Sequence, residues 1–349
     1  MTGASGGVAP EMRPASRILP ASPAAITRAA DELISGRLVA FPTETVYGLG
    51  ADAANPDAVA KIYRLKGRPA DHPLIVHVRN SEAARRWAVW SDEAERLSRA
   101  FWPGPLTLIL ERLPSACAAA CGGQPTIGIR APAHPVSLRL LEAFAERGGS
   151  AIAAPSANRF GRISPTSAAH VLAEFGHSLP CVIDGGRCEI GLESTILDLS
   201  AGSPRVLRPG AITPAALNQI LNTEFATNSD NVPRVPGSLA SHYAPDTPLR
   251  LLPRAELKAA ALALLQRGQT VTVVSSHPAE IHQSACHWLM MPDNAAQYGQ
   301  SLYALLRDID KSACDYILIE LPPAQMQWDA VNDRLRRAAG KLQRESDSE

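Results

Sequence analysis

Residues 38–71 read LVAFPTETVYGLGADAANPDAVAKIYRLKGRPAD, and the rest of the chain is read outward from them. The apolar run 38–41 stops at Pro42, as a buried strand does on meeting a residue that cannot donate to a ladder. Thr43, Glu44, Thr45 and Tyr47 follow, then Gly48 and Gly50, which as loop glycines let backbone approach a ligand closely. Asn55-Pro56 opens a helix, a cap followed by proline in the first turn. That helix runs into Lys61, Arg64, Lys66 and Arg68. The first two fit a solvated helix face. Lys66 and Arg68 flank Gly67 and precede Pro69, so they are expected to be loop cations suited to phosphate oxygens. The stretch predicts a site for a small anion, with a triphosphate as the first expectation.

Gly48 to Ala53 superficially fits GxGxxA, but a proline and a polar tripeptide separate it from the strand. The dinucleotide motif needs its glycines directly between strand and helix. No GxxxxGK[ST] run occurs, which excludes a P-loop.

Toward the N-terminus, residues 24–35 have helical spacing and end at Gly36. Residues 1–17 show no basic stretch followed by an apolar core and read as a disordered leader. Toward the C-terminus, short apolar runs (74–78, 106–110, 126–130, 151–154, 181–183) alternate with helical patterns. Residues 194–199 and 205–207 read as a hairpin. Residues 114–125, rich in alanine and glycine, read as a mobile loop. Crossovers and hairpins together predict a twisted mixed α/β sheet over residues 18–221. Residues 222–248 are polar, then rich in proline, glycine and serine, and read as an extended linker. A cleaner strand–helix alternation over 249–345 predicts a smaller Rossmann-like α/β unit without a glycine fingerprint, so no cofactor of its own is expected.

The 349 residues carry 34 basic and 34 acidic side chains, so the net charge of +0 gives no general pull toward nucleic acid or membrane. No apolar run approaches the roughly 18 residues of a spanning helix. Six scattered cysteines with no CxxC pair read as reduced thiols in a cytoplasmic protein. An RNA-binding module is a competing reading, against which zero net charge and 5% aromatic residues argue.

Taken singly, several residues are ambiguous. His77 lies in an apolar strand and could be a core histidine. Arg130 ends a strand, where its planar fork would suit a carboxylate. Ser156, Asn158, Ser164 and Thr166 are turn residues that could also donate to a nucleotide. Glu193-Ser194-Thr195 and Arg208-Pro209-Gly210 read either way.

Taken together they occur in a recognisable order: FPTETVYGLG, KGRPADHPLIVH, WPGPLTLIL, TIGIRAPAHP, AAPSAN, ISPT, VIDGG, ESTILDL and VLRPG. In this the chain resembles the YrdC-type threonylcarbamoyl-AMP synthases. With its PGSLASHYAP linker it is similar to their long two-domain form. The resemblance runs from about residue 18 onward and implies a YrdC-like first domain. It also implies a reaction of L-threonine, bicarbonate and ATP with Mg²⁺. The products are threonylcarbamoyl-AMP and pyrophosphate, for the t6A modification at position 37 of tRNA. A downstream threonylcarbamoyl transferase complex would use the adenylate. The resemblance implies threonine-binding roles for Thr45, His77, Arg130, Ala154 and Ser194. It implies ATP-binding roles for Lys66, Arg68, Thr126, Ser156, Ser164, Arg208 and Tyr243, with Asn158 in the same loop and Lys66 and Arg68 as the catalytic pair. His72 stands where some members carry asparagine, and a neutral imidazole donates only one hydrogen bond. No protein-held metal is expected. The linker residues Ser241, His242 and Tyr243 are expected to close over the nucleotide. A carbamoyl-transfer enzyme of the hydrogenase-maturation type shares the domain but adds zinc modules with paired CxxC motifs, which this chain lacks.

Overall fold

The structure, a computed structural model, describes residues 17–223, 225, 232–237 and 242–346. Ten strands form the first sheet: β1 Arg17–Pro20, β2 Val39–Phe41, β3 Gly48–Asp52, β4 Ile75–His77, β5 Leu106–Glu111, β6 Thr126–Arg130, β7 Ile152–Ala153, β8 Cys181–Asp184, β9 Thr195–Asp198 and β10 Arg205–Arg208. Their spatial order is β1-β8-β2-β3-β7-β4-β6-β5-β9-β10. The sheet is mixed: β1–β8, β8–β2, β4–β6 and β5–β9 are parallel, and the other neighbours antiparallel. Alternation along β2 shows how both faces are buried. Val39 and Phe41 join one core with the helices Pro23–Ile34 and Pro135–Glu146, while Ala40 joins another under the helix Pro56–Lys66.

Helix 56–66 starts and stops as its sequence demands. The Asn55 side chain accepts from Asp57 N and Ala58 N, and Gly67 closes the helix at φ 63. Two registers then build the site. Parallel pairing of β4 with β6 sets His77 beside Arg130. Parallel pairing of β5 with β9 sets Leu106 beside Thr195, which brings Thr107 to the hydroxyl of Ser194 at 2.7 Å.

The second sheet contains β11 Leu249–Leu252, β12 Val271–Ser275, β13 Cys286–Met290 and β14 Tyr316–Glu320. It is wholly parallel, in the order β11-β14-β12-β13. Helix Arg254–Gln266 covers one face, and helices Ala295–Lys311 and Asp329–Ser346 cover the other. This second core does not close on itself. Val46, Ile163, Leu192 and Tyr243 pack into it beside Tyr303, Leu306 and Leu335. The two sheets therefore share buried apolar surface, which favours their association.

Three local expectations change. Residues 48–52 are a strand paired with β2, not a loop, and Gly50 is required by packing. A Cβ there would lie 2.8 Å from both Ile152 Cγ2 and Phe41 Cε1. Residues 114–125 are not a free loop, since they contain a 3-10 turn, Ala118–Cys121, whose Ala120 and Cys121 are buried. Strand β1 and the short helix Ser81–Ala84 are additional to the expected elements. The leader lies outside the described residues up to residue 16, as do parts of the linker, Ser241 among them.

Gly50→Ala is expected to destabilise the protein by roughly 1–3 kcal/mol through overpacking against Phe41 and Ile152. A urea midpoint equal to that of the parent would refute this close approach.

Candidate active site

The strand ends of the first sheet and the linker line a small cavity of about 50 Å³ that opens to solvent. Its walls include Thr45, Gly48, Arg68, His77, Arg130, Ala154, Ser156, Ser194, Arg208, His242 and Tyr243, with Glu193 the one carboxylate.

On one wall, Arg130 is fixed at every nitrogen. Nε donates to Gly104 O at 3.1 Å and Nη1 to Thr45 Oγ1 at 2.8 Å. Nη2 lies 2.6 Å from Glu44 Oε1, in a contact too misaligned for a hydrogen bond. Thr45 is held in turn by Thr43, whose Oγ1 lies 2.8 Å from its own. His77 sits against Arg130 and edge-on to Phe41. Burial, then the Arg130 charge, lower its imidazole to about 3, so it is neutral at physiological pH. Ala154 adds a small apolar wall.

Also on the cavity lining, Arg208 donates from Nε to Ser194 O at 3.0 Å, from Nη2 to Ser194 Oγ at 3.1 Å and from Nη1 to Pro236 O at 2.9 Å. Arg68 donates to Pro73 O at 2.8 Å and lies 5.5 Å from the Phe160 ring centre. Burial lowers its guanidinium to about 10, which leaves it charged near neutrality. The linker supplies the lid side. Tyr243 is buried at φ 60, an uncommon conformation for a bulky residue. It is held between His242 and Tyr303, with ring centres at 4.1 and 5.7 Å.

Five residues with anticipated roles do not line the cavity. Lys66 ends its helix fully buried, and its ammonium donates to the carbonyls of Ser156 (2.6 Å) and Asn158. It therefore shapes the loop that carries Ser156. Burial, then nearby Arg68, push that ammonium well below its usual range. Asn158 spends its amide on the carbonyls of Arg159 and Arg162. Ser164 donates to Glu193 Oε1. His72 rests edge-on to Phe160, and Thr126 begins β6 opposite Glu111.

The residue that sequence patterning missed is Arg334. It lies among other charged residues of the C-terminal helix 329–346, yet it is the largest fully buried side chain described. Its Nε donates to Glu193 Oε2 at 2.9 Å, and Tyr303 OH donates to the same oxygen at 2.9 Å. Its guanidinium also lies 5.5 Å from the Tyr243 ring centre. Burial alone would raise the Glu193 carboxyl, but Arg334 and Arg208 outweigh it and lower the group to about 2. No local pattern could reveal the pair, because its members are 141 residues apart.

Fold and cavity together define an α/β protein with a cation-rich cleft for small anionic molecules, completed by a second α/β unit. A family model described as "Telomere recombination" (Sua5_yciO_yrdC) matches residues 31–210. A second, "Threonylcarbamoyl-AMP synthase, C-terminal domain", matches residues 212–340. The threonylcarbamoyl-AMP synthase of Pyrococcus abyssi is 37% identical over 324 residues, covering 89% of this chain and 93% of that protein. That of Bacillus subtilis is 37% identical over 329 residues, covering 90% and 93%. Among solved structures, P. abyssi Sua5 complexed with L-threonine superposes with a TM-score of 0.83 at 36% identity, covering 90% of this chain and 94% of that one. The chain belongs to the Sua5/YciO/YrdC family, in its long form with a Sua5 C-terminal domain.

Two expectations follow. His77 and His242 are both lowered to about 3, chiefly by burial. An unfolded chain protonates them near 6.5, so acidification favours the unfolded state and stability falls as pH drops below that value. The loss is about 2 kcal/mol per histidine at pH 5. Equal urea midpoints at pH 7 and pH 5 would contradict it. Arg334→Met leaves Glu193 buried and unpaired, which costs roughly 3–5 kcal/mol. Adding Glu193→Gln to that variant is expected to recover a large part of the loss in the same titration.

Proposed function

We propose that this protein is an L-threonylcarbamoyladenylate synthase, a nucleotidyltransferase that joins L-threonine, bicarbonate and ATP and releases pyrophosphate. The observation that carries the reading is one cleft lined together by three buried guanidinium groups, those of Arg68, Arg130 and Arg208. Threonine would place its carboxylate on Arg130, beside Thr45 and the neutral His77, with Ala154 and Ser194 shaping the space around its side chain. Nucleotide would lie toward Arg68, Ser156 and Arg208 under Tyr243.

The chemistry needs placement more than a protein nucleophile. The uncharged threonine amine adds to carbon dioxide with loss of a proton, or to bicarbonate with loss of water, and becomes an N-carboxylate. One oxygen of that carbamate attacks the α-phosphorus of ATP, and the α–β bridging bond breaks as pyrophosphate departs in line. Arg68 and Arg208, fixed before substrate arrives, offset charge on the phosphates without reorganising. Lys66 acts one step back, by holding the backbone of residues 156–158. Tyr243 and His242 keep water from a labile mixed anhydride.

Mg²⁺ fits as a companion of ATP. Among the described residues no group of three histidine, cysteine or acidic side chains could hold a metal, and the only carboxylate on the cavity wall is spent on Arg334, Tyr303 and Ser164. Phosphate oxygens and water would supply its ligands, and its contribution is to neutralise triphosphate charge.

Among the described residues no helix is long and apolar enough to cross a membrane. Activity on behalf of tRNA would be exercised in the cytoplasm, with the adenylate passed to a separate threonylcarbamoyl transferase.

The test is incubation of purified protein with ATP, Mg²⁺, bicarbonate and radiolabelled threonine. Threonine-dependent pyrophosphate and a labelled adenylate are expected, and pyrophosphate release that ignores threonine would reject the reading. Arg130→Ala is expected to raise the threonine KM at least tenfold with ATP affinity retained. Arg68→Ala is expected to weaken ATP at least tenfold with threonine affinity retained. Equal loss of both ligands in each variant would overturn this assignment.

A further inference from the structure

We propose that the second sheet carries a ligand site of its own, built for a small organic amine and separate from the cleft above. In an open parallel sheet, ligands bind beyond the carboxyl ends of neighbouring strands whose connections leave in opposite directions. Here those strands are β12 and β14. The chain leaves β12 toward β13 on one side, and leaves β14 for the helix that packs on β11 on the other. A cavity of about 200 Å³ opens at that crevice, smaller than a drug-sized site and suited only to a small molecule. Its polar walls are Ser275, Ser276 and His277 after β12, Glu320 at the end of β14, Asp293 and Tyr298. Leu321, Pro322, Pro323 and Trp328 make the apolar side.

The polar groups are organised, and part of their capacity is unspent. Glu320 Oε2 accepts from Ser275 Oγ, from Ser276 N at 3.2 Å and from His277 Nδ1 at 3.1 Å. Those contacts fix the carboxylate, and hydrogen bonds from Ser275 and His277 outweigh burial and hold it below its usual range. Oε1 has no hydrogen-bond partner among the described residues. Tyr298 is only 4% exposed, yet its hydroxyl also lacks a partner there, although it lines the cavity. Among the described residues Asp293 has no ion-pair partner. Glu320 Oε1, Asp293 and the Tyr298 hydroxyl are thus available at the cavity wall for a ligand to take up.

The ligand class follows from the signs. Among the described residues no lysine or arginine lines this cavity, while two carboxylates do. A phosphate or carboxylate would meet two like charges and no cation, so the nucleotide that usually fills such a crevice is disfavoured. An ammonium would take Glu320 Oε1 and Asp293, an apolar or aromatic body would pack on Trp328 and the prolines, and a neutral acceptor would meet the Tyr298 hydroxyl. The site asks nothing of threonine or ATP, which keeps it distinct from the proposed reaction.

The test uses the full chain and a probe panel: tyramine, phenethylamine and agmatine as amines, 4-ethylphenol as an uncharged counterpart, and AMP and inorganic phosphate as anions. Calorimetry and thermal unfolding are the readouts. Saturable binding of at least one amine is expected, weakened at least tenfold by Glu320→Gln and by Asp293→Asn. Little binding of 4-ethylphenol is expected. Asp293→Asn serves alone if the Glu320 variant does not fold, because Asp293 makes no internal hydrogen bond. No amine binding, amine binding unchanged in Asp293→Asn, or phosphate binding lost in the same variants would each overturn the proposal.

Discussion

The buried pair of Glu193 and Arg334 is the contact on which the arrangement of this molecule depends. A carboxylate inside a protein is tolerable only when paired and hydrogen-bonded. Glu193 meets that condition by drawing on both halves of the chain: Ser164 from the first, and Tyr303 and Arg334 from the second. Because Glu193 precedes Ser194 and lies on the cavity wall, the same contact fixes the position of Arg208 through Ser194. Removal of either partner would leave a charge in a place without water. The second α/β unit is therefore part of the active-site scaffold as well as a neighbour of it.

Around that pair the cleft is a place of opposed charge and restricted water. Arg68, Arg130 and Arg208 are all buried and all anchored to backbone carbonyls. Anchoring costs side-chain freedom during folding, so little ordering remains to be paid when an anionic substrate arrives. Depressed histidines fit the same pattern. His77 and His242 stay neutral beside these cations and can serve as polar walls without adding positive charge. The linker contributes its His242-Tyr243 step, clamped between Phe160 and Tyr303 by ring contacts. A segment placed this way reports on the state of both halves, since its aromatic neighbours come from each.

Much of the fold was legible because local rules were obeyed. The start of helix 56–66 followed from Asn55-Pro56, although it runs on through Lys66, which reads locally as a loop cation; the 195–208 hairpin followed from its turn residues, and the second sheet from strand–helix alternation. The mixed character of the first sheet also followed. Residues 48–52 did not, because glycines that read as loop permissiveness are there to let Phe41 and Ile152 close over the strand. Local sequence does not distinguish a glycine needed for conformation from one needed for space.

For the site, the sequence by itself determined the chemistry available: a run of ordered motifs carrying Thr45, Lys66, Arg68, His77, Arg130, Ser194 and Arg208, each on an element whose limits its neighbours set. Only the tertiary structure decided which of those groups face the cavity. It turned the Lys66 ammonium inward onto two carbonyls, spent Ser164 on a carboxylate, and brought Arg334 across 141 residues to Glu193. The physical reason is that periodicity, caps and turns act over a few residues, whereas the pairing of a buried charge depends on what lies nearby in space. Distant parts of the chain become neighbours only after both sheets have formed and packed.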